Sequence, residues 1–113
     1  MSAIAVIRLS GPDAFEIGDK LFQSRKKIRL GEQPPYTIHF GKIVFQGRII
    51  DEVLISVFKK PHSYTGEDTL EISCHGSTYI QHEILQALYI SGAVPAAPGE
   101  FTLRAFLNGK MDL

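Results

Sequence analysis

Residues 2–10, "SAIAVIRLS", alternate in character and are rich in β-branched side chains, which predicts a strand. Ile4, Val6 and Arg8 would share one face, and Ala5, Ile7 and Leu9 the other. The period then changes. In "SGPDAFEIGDKLFQ" (10–23) the apolar residues Ala14, Phe15, Ile17, Leu21 and Phe22 make one side of a helix. Ser10 is placed to cap it, Pro12 suits an early position, and Asp13 favours the positive first turn. Gly18 inside costs ~1 kcal/mol against Ala, so this helix is expected to draw on tertiary packing.

Residues 24–35 read as a basic, then Gly/Pro-containing loop. Residues 36–45 and 48–60 read as two strands joined by a tight hairpin at Gln46-Gly47. The stretch 61–66 breaks the pattern, and 68–74 resumes as a strand with Leu70, Ile72 and Cys74 on one face and Glu71 and Ser73 on the other. A turn at "HGS" leads to a helix over 78–91 with the stripe Ile80, Ile84, Ala87 and Leu88, ended by Gly92. Pro98 and Gly99 open a last short helix over 100–107, closing at "NGK". The expected fold is α+β: one domain over 1–113, a mixed β-sheet with flanking helices. The final "GKMDL" stops without a tail, as a piece of a longer polypeptide would.

Composition narrows the classes. Hydrophobic residues make up 44% of the 113 and charged residues 21%, enough for a core and too apolar for global disorder. Twelve Lys and Arg cancel twelve Asp and Glu, so the domain lacks the footprint of a general nucleic-acid binder. A polynucleotide contact would have to be local, through "SRKKIR" (24–29). One cysteine excludes an internal disulfide and a CxxC zinc knuckle and fits a reducing compartment. No apolar run approaches the ~20 residues that cross a bilayer, and Arg8 interrupts the N-terminal one, so a soluble, cytoplasmic chain is expected.

Cys74-His75 places a thiol beside an imidazole, but neighbours in a strand point to opposite faces and cannot form a catalytic dyad easily. Cys74 falls on the apolar face, where it serves as a small hydrophobe. The histidines His39, His62, His75 and His82 have no metal-ligand spacing, and the adjacent Glu67 and Asp68 read as an exposed acidic turn. No GxxxxGK[ST] loop occurs: Gly41-Lys42 and Gly109-Lys110 are followed by Ile43 and Met111, which cannot ligate magnesium. Glu71 is the informative residue. Its carboxylate faces water, pairs with Arg8, or meets a ligand with paired N–H donors such as a pterin.

The stretches "IRLSGPDA" (7–14), "IDEVL" (50–54), "PHSYTGEDTLEISCHG" (61–76) and "PGEFTLRAFLNGKMDL" (98–113) together resemble the N-terminal domain of the tRNA modification GTPases called MnmE or TrmE. They run in the family's order over nearly the whole chain. The resemblance implies a fold like the folate-binding domain of the glycine-cleavage T-protein, a homodimer, and a bound tetrahydrofolate derivative (5-formyl- or methylene-tetrahydrofolate) as one-carbon donor. It implies that Arg8, Glu71 and Lys110 contact the folate. It also implies that the parent protein, with GTP, Mg and the flavoprotein partner MnmG (GidA), adds a carboxymethylaminomethyl-type group to the wobble uridine of tRNA. This fragment by itself is expected to lack GTPase activity.

The chain departs from the family in three places. The family's further strand and "TPPG.GG"-type segment do not precede Arg8, the frequent "HGG" is "HGS" with Ser77 able to cap a helix, and the helical domain, GTPase domain and terminal cysteine motif do not follow Leu113. Two other readings stand beside this one: a folate-dependent aminomethyltransferase-like domain, and a purely structural dimerisation module with Arg8, Glu71 and Lys110 in ion pairs.

Overall fold

The computed structural model describes residues 4–108. Its elements are β1 (Ile4–Ser10), α1 (Ala14–Leu21), β2 (Phe22–Gln23), β3 (Thr37–Phe45), β4 (Arg48–Phe58), β5 (Thr69–His75), α2 (Thr78–Ile90) and α3 (Glu100–Leu107), with a 3-10 turn at Leu30–Glu32. Five strands form one sheet in the order β1-β5-β4-β3-β2. The sheet expected to be mixed is antiparallel at every described pairing. The reason lies in α1, which does not return the chain beside β1 but carries it across the sheet to β2 at the opposite edge.

Alternation in the strands becomes two unlike faces. Val53, Ile55, Val57, Leu70, Ile72 and Cys74 are buried on one, where Ile17 and Leu21 of α1 and Ile84 and Leu88 of α2 close the core. Cys74 sits there as a hydrophobe, and burial, with help from the Asp51 carboxylate, pushes its thiol pKa up. Neither α1 nor α2 covers the other face, where α3 reaches only the β1 edge through Phe101 beside Arg8. Val6, Ile38, Phe40 and Leu54 on that face are 56%, 64%, 60% and 45% exposed. Helices α1 and α2 therefore flank one side only.

Local chemistry explains the turns. Gln46 and Gly47 both take positive φ (52° and 77°), the conformation that matches a two-residue hairpin to strand twist. A register shift between Ile43 and Val44 leaves Ile50 as the extra residue of a bulge in β4. Ser77 caps α2, its hydroxyl accepting the Ile80 N–H at 3.3 Å. Ser10 does not cap α1. It stays in β1, while Asp13 holds the cap position with no side-chain cap bond. Helix α1 also ends two residues early, because Phe22 and Gln23 turn out to pair with Ile43 and Lys42.

Two glycines set how closely layers approach. A Cβ on Gly18 would lie 2.5 Å from Leu70 Cδ1, so this glycine lets α1 settle onto β5. A Cβ on Gly41 would lie 2.5 Å from the backbone oxygen of Gln23 and 2.6 Å from the Phe22 ring. Backbone cannot swing away as a side chain can. Gly41→Ala should destabilise the chain by about 1–3 kcal/mol, read as a melting midpoint lower by several degrees; an unchanged midpoint would contradict this packing.

Candidate functional site

The site grows from the pairing of β1 with β5. Arg8 and Glu71 are direct partners in the register, on the face opposite α1 and α2. Arg8 Nε donates to Glu71 Oε2 at 3.0 Å. Their side chains are 39% and 28% exposed, so the pair contributes at most ~1 kcal/mol to stability. Its placement matters more. The Arg8 guanidinium lies 5.1 Å from the centre of the Tyr64 ring and 5.7 Å from that of Phe101, within cation–π range of both.

Two hollows meet at this pair. Glu71 lines one of ≈370 Å³ with Tyr36, Phe58, His62, Ser63 and Tyr64, and Arg8 lines a larger cleft of ≈800 Å³ running along β1 to Phe101 and Arg104. Both volumes fall in the range of small-molecule sites. The smaller hollow offers aromatic walls and one carboxylate, a combination suited to a flat heterocycle bearing N–H donors.

The segment "SYTGED" is held rigidly beneath the site. Thr65 is wholly buried, and its Oγ1 lies 2.6 Å from Ser10 Oγ, which is also 3.0 Å from Thr69 Oγ1. The Ser10 hydroxyl donates to Glu67 Oε1 at 3.3 Å. Ser63 Oγ donates to the Glu67 carbonyl, and Asp68 Oδ1 accepts the Lys60 N–H at 3.0 Å. Glu67 and Asp68, read from sequence as an exposed acidic turn, are thus internal braces.

Arg104 ties α3 to this brace. Its Nη2 lies 2.6 Å from Glu67 Oε1 and donates to the Ser10 carbonyl at 2.9 Å, while Nη1 lies 3.4 Å from Glu100 Oε2. The Phe101 ring lies between Arg104 and Arg8, 5.6 Å from the Arg104 guanidinium carbon. Tyr64 O–H and Thr102 Oγ1 add a hydrogen bond at 3.1 Å. A second pair lies at the other end of β5. Asp51 accepts the His75 backbone N–H at 2.9 Å with one oxygen, and its other oxygen lies 2.7 Å from His75 Nδ1. It braces the turn into α2.

Of the residues expected to contact a ligand, Arg8 and Glu71 are brought together, and Lys110 lies outside the described residues. Tyr64, Phe101 and Arg104 were not singled out from sequence. The signal for Arg104 was present in principle, as the one cation on the mostly apolar helix α3, four residues after Glu100. Among the described residues no cluster of His, Cys, Asp and Glu could hold a metal ion, and no helix is long and apolar enough to cross a membrane.

Because α3 is anchored by these polar contacts, Arg104→Gln should loosen α3 selectively. Amide hydrogen exchange across residues 100–107 should accelerate severalfold while β4 and β5 keep their protection. Unchanged exchange in α3 would show that Arg104 is not its anchor.

Comparison with known proteins gives the family. A family model described as GTP-binding protein TrmE N-terminus matches residues 1–110. A tRNA modification GTPase MnmE of Flavobacterium johnsoniae is 61% identical over 111 residues, covering 98% of this chain and 24% of that protein. Proteins of the same name from Christiangramia forsetii and Parabacteroides distasonis are 59% and 56% identical, with 98% and 100% of this chain and 23% and 25% of theirs covered. The chain spans about a quarter of the length of these curated relatives. With the match running through β1, the "SYTGED" brace and α3, the chain belongs to the TrmE N-terminal family.

Proposed function

We propose that this chain is the folate-binding and dimer-forming N-terminal domain of a cytoplasmic tRNA modification GTPase. The ligand is a reduced folate, 5-formyl- or methylene-tetrahydrofolate, and the fold is of the kind used by the glycine-cleavage T-protein for the same purpose. The parent protein acts with a flavoprotein, MnmG (GidA), on the wobble uridine of tRNA. GTP and its magnesium are handled by the parts of the parent that this chain does not span, since no phosphate-binding loop spacing occurs in its sequence.

The observation that carries the reading is Glu71, a carboxylate with one oxygen on Arg8, set in an aromatic hollow. A pterin presents an exocyclic amine and a ring N–H on one edge, which suits the two oxygens of a carboxylate. Tyr36, Phe58 and Tyr64 supply ring faces and edges around it. Arg8, held between Tyr64 and Phe101, is placed to meet the polar remainder of the ligand in the larger cleft. When bound, the folate supplies the one-carbon unit; the chain binds and orients it. Lys110 belongs to the same reading through the family motif.

Dimer formation is supported by the sheet face that α1 and α2 leave uncovered. Val6, Ile38, Phe40 and Leu54 form an apolar stripe across β1, β4 and β3, and a second copy packing there by two-fold symmetry would remove it from water.

Two outcomes are expected. Glu71→Gln exchanges one acceptor oxygen for a donor amide, and a lost charge-assisted hydrogen bond is worth about 1.5–3 kcal/mol. Calorimetry should therefore show folate affinity weakened by roughly ten- to hundredfold; a folded variant that binds as tightly would refute the assignment. Light scattering after size exclusion should give the mass of two chains. A strict monomer at tens of micromolar would count against the dimer.

A further inference from the structure

The largest concentration of cations lies at the edge of the sheet farthest from Arg8. Strand β2 pairs only with Ile43 and Lys42 of β3. Among the described residues the outer side of β3 is therefore without a strand partner over residues 37–41. The segment after β2 runs beside this gap. The Ser24 carbonyl accepts the Lys27 N–H at 3.1 Å, and its hydroxyl accepts the Ile28 N–H at 3.4 Å, closing a tight turn. Ile28 packs on the core and anchors the turn, leaving Arg25, Lys26 and Lys27 exposed. Lys27 holds φ at 51°, a conformation that glycine or asparagine adopts more cheaply. A lysine there keeps a third consecutive cation on the turn. Arg25, Lys26, His39 and Lys42 line a groove of ≈490 Å³ together with Ile38 and Phe40, which belong to the apolar face assigned above to the dimer, so the exposed turn of Arg25, Lys26 and Lys27 is the part of it that a dimer leaves open.

These cations lack internal partners. Among the described residues the ion pairs involve Arg8, Arg48, His75 and Arg104, and none reaches Arg25, Lys26, Lys27 or Lys42. The nearby acids are otherwise placed, apart from Glu52 beside Lys42. Glu16, Asp19 and Glu32 gather with Arg29 around a separate hollow, Asp19 accepting the Leu30 N–H, and Glu52 stands opposite Lys42 in the strand register. Arg29 is accordingly left out of the patch. In a chain of zero net charge, three consecutive exposed cations, Arg25, Lys26 and Lys27, without a carboxylate paired to them call for an anionic partner.

We propose that the cationic turn of Arg25, Lys26 and Lys27 at this edge binds the phosphodiester backbone of RNA, a reading that rests on the proposed role of the parent protein in tRNA modification. Repeating phosphates suit a row of cations along an extended edge, and such contacts position a strand without reading its bases. A lipid surface is less well matched, because membrane-surface binding ordinarily uses an amphipathic helix, and this edge is a turn and a strand. The anionic tail of a folate is also a poor match. Four inter-strand gaps of about 4.8 Å separate β1 from β2, roughly 19 Å in all.

The test is fluorescence anisotropy of labelled tRNA with the 113-residue chain, between about 50 and about 200 mM KCl, run beside calorimetry with a reduced folate. Replacing Arg25, Lys26 and Lys27 with glutamine should weaken tRNA binding at least about tenfold at low salt. It should also reduce the logarithmic salt slope by about 2–3, one phosphate contact per lost cation, with folate affinity unchanged. Lys26→Glu alters one exposed side chain without touching the turn and should weaken binding in the same direction. Equal tRNA affinity and salt slope in wild type and triple variant would overturn the proposal, as would tighter binding to phosphatidylserine vesicles than to tRNA. Patch-dependent tRNA binding by a chain that does not bind folate would sink the folate reading and leave this one standing.

Discussion

The register between β1 and β5 is the constraint on which the rest depends. Ala5, Ile7 and Leu9 pair with Cys74, Ile72 and Leu70 on the core side, so Arg8 must fall opposite Glu71 on the other. Strand side chains alternate with period two, and a slip of one residue would bury the guanidinium among Ile55 and Ile72 while exposing three apolar side chains. Burying an unpaired charge costs several kcal/mol even after relaxation. The hydrophobic pattern of two short strands thus places the two charged groups of the site together, although their mutual attraction is itself worth little.

A second, polar layer turns that pair into a pocket. Ser10, Thr65 and Thr69 bury their hydroxyls against one another, and Glu67 carries the network out to Arg104 and so to α3. Among the described residues no buried side-chain polar atom is left without a partner, so the network rigidifies the loop rather than burdening it. The consequence is positional. Tyr64 comes from the braced loop and Phe101 from the tethered helix, and together they frame Arg8. Helix α3 meets the body through these side-chain contacts and through the buried Ala105.

Much of this was legible in the alternation of residues. The four long strands, the Gln46-Gly47 hairpin, the Ser77 cap, the core position of Cys74 and the opposed faces of Leu70 and Glu71 follow from period and turn chemistry. What escaped was long-range. Ser10 reads locally as a helix cap, yet Thr65 and Thr69, more than fifty residues away, hold it in the strand. Phe22 and Gln23 continue a helical pattern, but pairing with Ile43 and Lys42 wins. Glu67 looks like a solvated acid until Arg104 arrives from another element. The antiparallel sheet and its bare face depend on where α1 carries the chain, which no local pattern encodes.

The central claim is that the Arg8–Glu71 pair and its aromatic frame form the ligand site. It is tested most directly by nuclear magnetic resonance of isotopically labelled chain titrated with 5-formyl-tetrahydrofolate. The account predicts that the Arg8 Nε–H signal shifts first and furthest, together with ring signals of Tyr64, Phe58 and Phe101, while amides of 24–28 at the opposite edge stay in place. Saturable shifts confined to residues away from Arg8 and Glu71 would contradict it.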